Sequence, residues 1–127
     1  MSPKTILITG AAGYIGAMLA DQFSNAPDLK HIIAIDKNAM PIFLRGNKKI
    51  IWIQAELSEG VWREKIKIYK PEIVIHAAWQ IKELYGQKDL QRKLNIEATR
   101  KVLEFVFREA CVKKIIYFST VSSFGAF

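Results

Sequence analysis

The chain has 127 residues, 50% of them hydrophobic and 24% charged, with a formal net charge of +7 at pH 7. That length suits one domain with a real core rather than two, and the apolar runs are too short to span a membrane. A single cysteine, Cys111, excludes an internal disulfide framework and suits a reducing, cytoplasmic compartment, as does the lack of a charged-then-apolar leader before the first strand.

Taken in chain order, apolar runs alternate with helical spacing. KTILIT (Lys4 to Thr9) is a short strand that runs into the turn TGAAGYIG. Residues Gly13 to Asn25 follow as a helix, with Ile15, Met18, Leu19 and Phe23 on one face, and NAPD breaks it. HIIAID (His31 to Asp36) and KIIWI (Lys49 to Ile53) are the second and third strands. A helix is expected across SEGVWREKIKIY, with Ser58 as its N-cap. Pro71 introduces a fourth strand, EIVIHAA. A long helix from about Lys88 to Ala110 places Leu90, Leu94, Ala98, Val102, Phe105 and Val106 near one stripe. KKIIYFST (Lys113 to Thr120) is the fifth strand, and Cys111 just before it reads as a small packing residue, not a nucleophile. Strands this uniformly apolar are expected to be buried on both faces, in a parallel sheet covered by helices. The fold class is therefore α/β: a Rossmann-type doubly wound parallel sheet, truncated after about five strands, forming one domain over residues 1–127.

The glycines carry the first chemical signal. Gly10, Gly13 and Gly16 follow a strand and open a helix, and an acid, Asp36, ends the next strand twenty residues beyond Gly16. That is the context of a dinucleotide site. Gly10 permits the tight turn, Gly13 lets a pyrophosphate approach the backbone, and Gly16 lets helix and strand pack closely. Free N–H groups at the helix start supply the anion site. Asp36 can accept from both ribose hydroxyls of an adenosine and would repel a 2′-phosphate, which favours NAD over NADP, although Lys37 stands beside it. The basic residues are spread among glutamates and read mainly as solvated helix faces. They suit an anionic ligand, and nucleic acid ranks last as a partner. Two histidines and one cysteine at unrelated positions offer no metal-ligand spacing, and His76, at a buried strand end, reads as a satisfied core histidine rather than a base.

TGxxGxxG is the spacing of the extended short-chain dehydrogenase/reductases, the NAD-dependent epimerase/dehydratase group, and the chain resembles that family along its whole length. TGAAGYIG followed by AID is similar to the family's dinucleotide fingerprint, placing Gly10, Gly13, Tyr14, Ile15 and Gly16 with Asp36 and Lys37 at the cofactor. AEL (Ala55 to Leu57) stands where the family holds the adenine, so Glu56 and Leu57 join them, Glu56 being one methylene longer than the usual aspartate. VIHAAW resembles the fourth-strand signature, with Ala77 and Ala78 along the cofactor. NIEAT (Asn95 to Thr99) resembles NxxGT, in which the asparagine interrupts the long helix and helps hold the catalytic lysine and a water. KKIIYFSTVSSFG resembles the segment ending SSxxVYG. Counting back from Gly125 puts the active hydroxyl at Thr120, and Phe124 takes the usual tyrosine slot.

The resemblance implies an oxidoreductase-type reaction on a nucleotide-sugar or related hydroxylated substrate, and a dimer formed through the 88–110 helix. It also implies a YxxxK pair that moves the proton while NAD takes the hydride. Tyr14, Tyr69, Tyr85 and Tyr117 each lack a lysine four residues later. The chain is therefore expected to be the cofactor half of a longer enzyme, without the C-terminal substrate lobe and inactive alone. The alternative is a non-catalytic dinucleotide-binding or redox-sensing module.

Overall fold

The computed structural model describes residues 4–78 and 88–118. Its strands are β1 (Lys4–Thr9), β2 (Leu29–Asp36), β3 (Ile50–Gln54), β4 (Ile73–His76) and β5 (Lys114–Tyr117), and its α-helices are α1 (Tyr14–Phe23), α2 (Trp62–Ile66) and α3 (Lys88–Arg108). The five strands lie in the order β3-β2-β1-β4-β5, with every neighbouring pair parallel. The chain steps outward from β1 to β2 and β3, then returns to the far side of β1 for β4. That reversal opens a crevice above the C-terminal ends of β1 and β4.

Alternation along the strands divides the core in two. Ile6 and Ile8 of β1, Ile32 and Ala34 of β2 and Ile75 of β4 pack with Ala17 and Ala20 of α1. Leu7, Ile33, Ile35 and Val74 pack on the opposite face with Trp62 and Ile66 of α2 and Ala98, Val102 and Phe105 of α3. Both faces of β1, β2 and β4 are covered, so their continuous apolar runs reflect two-sided burial. No described helix is long and apolar enough to cross a membrane.

Four expectations are corrected. The α1 face turned to the sheet is Gly16, Ala17 and Ala20, with Leu19 and Phe23 half-buried beside them, while Ile15 and Met18 are both 42% exposed. Small residues win that face because they let the helix axis come closer to the strands. The helix expected from Ser58 to Tyr69 is broken into a 3-10 turn (Leu57–Glu59), α2 and a second 3-10 turn (Lys67–Tyr69). Gly60, at φ +75°, ends the first turn, and Lys70, at φ +50°, ends the last. Ser58 consequently caps nothing; its hydroxyl donates to Glu56 Oε1 at 3.3 Å, and Val61 precedes α2. α3 runs unbroken through Asn95, so no interruption occurs there. β5 is not buried on both faces: Ile116 and Tyr117 are exposed, because β5 forms the edge of the described sheet.

Candidate functional site

A cleft of about 230 Å³ lies at the C-terminal ends of β1, β2 and β4. Its base is the glycine turn. Gly10 sits at φ +69°, and a Cβ there would come within 2.6 Å of the Ala78 Cα and 2.7 Å of the Ala78 nitrogen. The turn thus lies directly against the end of β4, and only glycine allows both the φ and the approach. A Cβ on Gly16 would collide with the Gly10 carbonyl oxygen, so this glycine keeps α1 tight against the turn itself. Gly13 differs. Its Cβ would meet only the Gly10 oxygen, at 3.3 Å, and the residue lines the cleft. A side chain there would enter ligand space rather than the core. α1 begins with no side-chain cap and no acid in its first turn, which suits an anion at its amide end.

Asp36 ties two walls together. Its Oδ2 accepts the Ala12 N–H at 3.0 Å, from the glycine turn, and its Oδ1 accepts the Asn38 N–H at 2.9 Å. A carboxylate offers about four acceptor positions, so further lone pairs remain for ligand hydroxyls. The turn after Asp36 is pinned from β3: Gln54 Nε2 donates to the Lys37 carbonyl at 3.1 Å, and Trp52 Nε1 donates to the Asn38 carbonyl at 3.3 Å.

A buried polar chain runs beneath the cleft. Thr9 pairs with His76 across β1 and β4, and His76 pairs with Tyr117 across β4 and β5. Thr9 Oγ1 lies 2.7 Å from His76 Nδ1, and His76 Nε2 lies 3.0 Å from Thr99 Oγ1 on α3. Tyr117 stacks on the imidazole with ring centroids 5.5 Å apart. Burial holds the imidazole neutral and lowers its pKa to about 4. His76 is therefore a satisfied core histidine, as its position at a strand end suggested. Burial, aided by the charge of Glu109, also raises the Cys111 thiol pKa, which suits packing and not nucleophilic attack.

Of the residues expected at the cofactor, Gly10, Gly13, Asp36, Lys37, Glu56, Leu57, Ala77, Ala78 and Asn95 line the cleft together. Tyr14, Ile15 and Gly16 do not line it. Tyr14 is 87% exposed on the first turn of α1, Ile15 projects outward, and Gly16 is buried under the turn. Thr120, Phe124 and Gly125 lie outside the described residues. Ala12, Asn38, Ala55, Leu94 and Ala98 also line the cleft and were not singled out for it. Ala55 and Ala98 stand inside the AEL and NIEAT segments, so a signal for them existed. Asn38 stands in the turn after Asp36, whose Oδ1 accepts its backbone N–H, a bond that no side-chain pattern announces.

The family model for the NAD dependent epimerase/dehydratase family matches residues 6–127. Among solved structures, the enzyme WbmH of Bordetella bronchiseptica, in complex with NAD+, superposes with a TM-score of 0.85 at 20% identity, over 98% of this chain and 42% of that one. The dTDP-glucose 4,6-dehydratase of Bacillus anthracis, in complex with NAD, gives 0.79 at 19% identity, over 98% and 40%. A UDP-glucose 4-epimerase of Thermotoga maritima, with UDP-glucose, gives 0.73 at 26% identity, over 91% and 38%. The chain thus spans about two fifths of the length of the structures it matches.

Proposed function

The chain belongs to the NAD-dependent epimerase/dehydratase family, and we propose that it is the NAD-binding part of an oxidoreductase-type enzyme acting on a nucleotide-sugar or related hydroxylated substrate. The observation that carries the reading is the cleft in which the glycine turn, the amide end of α1 and the Asp36 carboxylate converge. The pyrophosphate lies over Gly13 at the start of α1, the adenosine ribose meets Asp36, and the adenine lies toward Glu56 and Leu57. Asp36 repels a 2′-phosphate, so NAD binds in preference to NADP. Support for a nucleotide-sugar comes from the UDP-glucose-bound epimerase, the most identical of the three structures above.

Calorimetric titration tests this directly. NAD should bind more tightly than NADP, and Gly13→Val should abolish binding while the chain stays folded. Equal affinity for both cofactors overturns the role of Asp36, and unchanged binding by Gly13→Val overturns the placement of the pyrophosphate.

Thr120 is the hydroxyl proposed to hydrogen-bond the substrate oxygen. No tyrosine in this sequence stands four residues ahead of a lysine, so hydride transfer by this chain alone is expected to be undetectable with any sugar nucleotide. Turnover above that of a Thr120→Ala control would refute this. A second reading is a non-catalytic dinucleotide-binding or redox-sensing module. NAD binding in a parent protein without a YxxxK segment would select it.

The site is assigned to the cytoplasm on the single cysteine. Self-association is assigned to α3, where Phe107 is 82% exposed beside Ile96, Leu103 and Tyr117 in an apolar groove. Light scattering should show a dimer that Phe107→Glu dissociates.

A further inference from the structure

Thr9, His76 and Thr99 sit one residue away from three walls of the cleft. Thr9 precedes Gly10, His76 precedes Ala77, and Thr99 follows Ala98, and those three neighbours all line the cleft. The proton order along this chain of hydrogen bonds follows from its acceptors. Thr9 Oγ1 accepts the N–H of Ala77 at 3.1 Å and of Ala78 at 3.2 Å, so its own proton is donated to His76 Nδ1. In the neutral imidazole the ring proton therefore lies on Nε2 and is donated to Thr99 Oγ1. His76 is 2% exposed, so the imidazole itself is shielded from water.

We propose that His76 is a positioning residue for the dinucleotide cleft. Through Thr99 it fixes where along its axis α3 stands, and hence where Leu94, Asn95 and Ala98 face the β4 end. The inference rests on the reading that this cleft takes NAD. The apolar contacts of Val102 and Phe105 hold α3 against the sheet but are non-directional and tolerate sliding. One residue of slide is about 1.5 Å along the helix. A hydrogen bond loses its geometry over a few tenths of that. Beside the partly exposed Arg63–Glu104 ion pair at 2.9 Å farther along α3, the imidazole thus supplies a buried directional bond that registers α3 along its axis at the cleft.

Isosteric variants separate the two halves of the chain. In His76→Gln the side-chain amide nitrogen reaches the place of Nε2 and keeps the donor to Thr99. In His76→Asn the amide oxygen takes the place of Nδ1, keeping the acceptor for Thr9 and losing the donor. Calorimetric titration of this chain with NAD should show affinity about tenfold weaker in Thr99→Val and His76→Asn, and within about twofold of the parent in Thr99→Ser and His76→Gln. Amide hydrogen exchange over residues 94–99, measured without ligand, should quicken in the first pair alone. Lower melting temperatures with parental NAD affinity in His76→Asn and Thr99→Val would mean a bond that is only structural, and would overturn the inference. If the parent chain does not bind NAD, the cleft assignment fails. The exchange contrast between His76→Gln and His76→Asn still decides the registration of α3, and equal exchange in the two overturns it.

Discussion

α1 and α3 lie against opposite faces of the same sheet, yet one meets it through Gly16, Ala17 and Ala20 and the other through Ala98, Val102 and Phe105. Small contact residues bring α1 close enough for its amide end to abut the glycine turn and the cleft. Larger residues carry the α3 contact, where Val102 and Phe105 are buried with Ala98. Phe105 is 2% exposed against Trp62, with ring centroids 5.7 Å apart, whereas Phe107, two residues on, is 82% exposed. The α1 side is built for a ligand that must approach the backbone. The α3 side is built for packing, and leaves a flank exposed near β5, the edge of the described sheet.

The largest effect should come from emptying the buried stripe. Phe105→Ala removes a ring from the core shared by α2, α3 and the sheet, and should cost about 4 kcal/mol in urea unfolding. A loss near zero would mean that α3 is not anchored there.

The next effect reads the junction of the two regions. The His76 pKa is lowered to about 4 in the folded chain, from 6.5 for an unperturbed imidazole. Between those values the unfolded chain binds more protons than the folded one. Stability from the neutral imidazole is therefore fully present above pH 6.5 and is lost as the pH falls toward about 4. The loss amounts to roughly 3 kcal/mol. Urea titrations across this range should show it, and His76→Gln should remove most of the slope. An unchanged slope in that variant would assign the acid sensitivity to other groups.

The smallest effect belongs to the exposed flank. Phe107→Ala should change the unfolding free energy of the monomer by less than about 0.5 kcal/mol, measured at dilution. A loss like that of Phe105 would place Phe107 in the core and erase the contrast between the two stripes.

What the sequence carried openly was local and covalent. The strand, glycine turn, helix and terminal acid of the first unit follow one another within 36 residues, so spacing alone places Gly10, Gly13 and Asp36 together. Ala77 and Ala78 were legible through the fourth-strand signature, and the parallel sheet through strands that are apolar on both faces. The break at Gly60 was less legible, because the apolar spacing of Trp62, Ile66 and Tyr69 continues through a backbone that does not remain α-helical. The exposed face of α1 was misread for a related reason. Hydrophobicity ranks Ile15 and Met18 above Ala17 and Ala20, but the distance of approach to the sheet, which no local pattern encodes, selects the small side chains.

Sequence by itself determined the order of elements, the glycine spacing and the acid beyond it, because these depend on neighbours along the chain. Tertiary structure alone decided that Thr9 meets His76 across 67 positions and that His76 meets Thr99 across 23. Hydrogen bonds of this kind depend on strand register and on which helix face is turned inward. Both are settled only when the sheet closes and its two faces are covered.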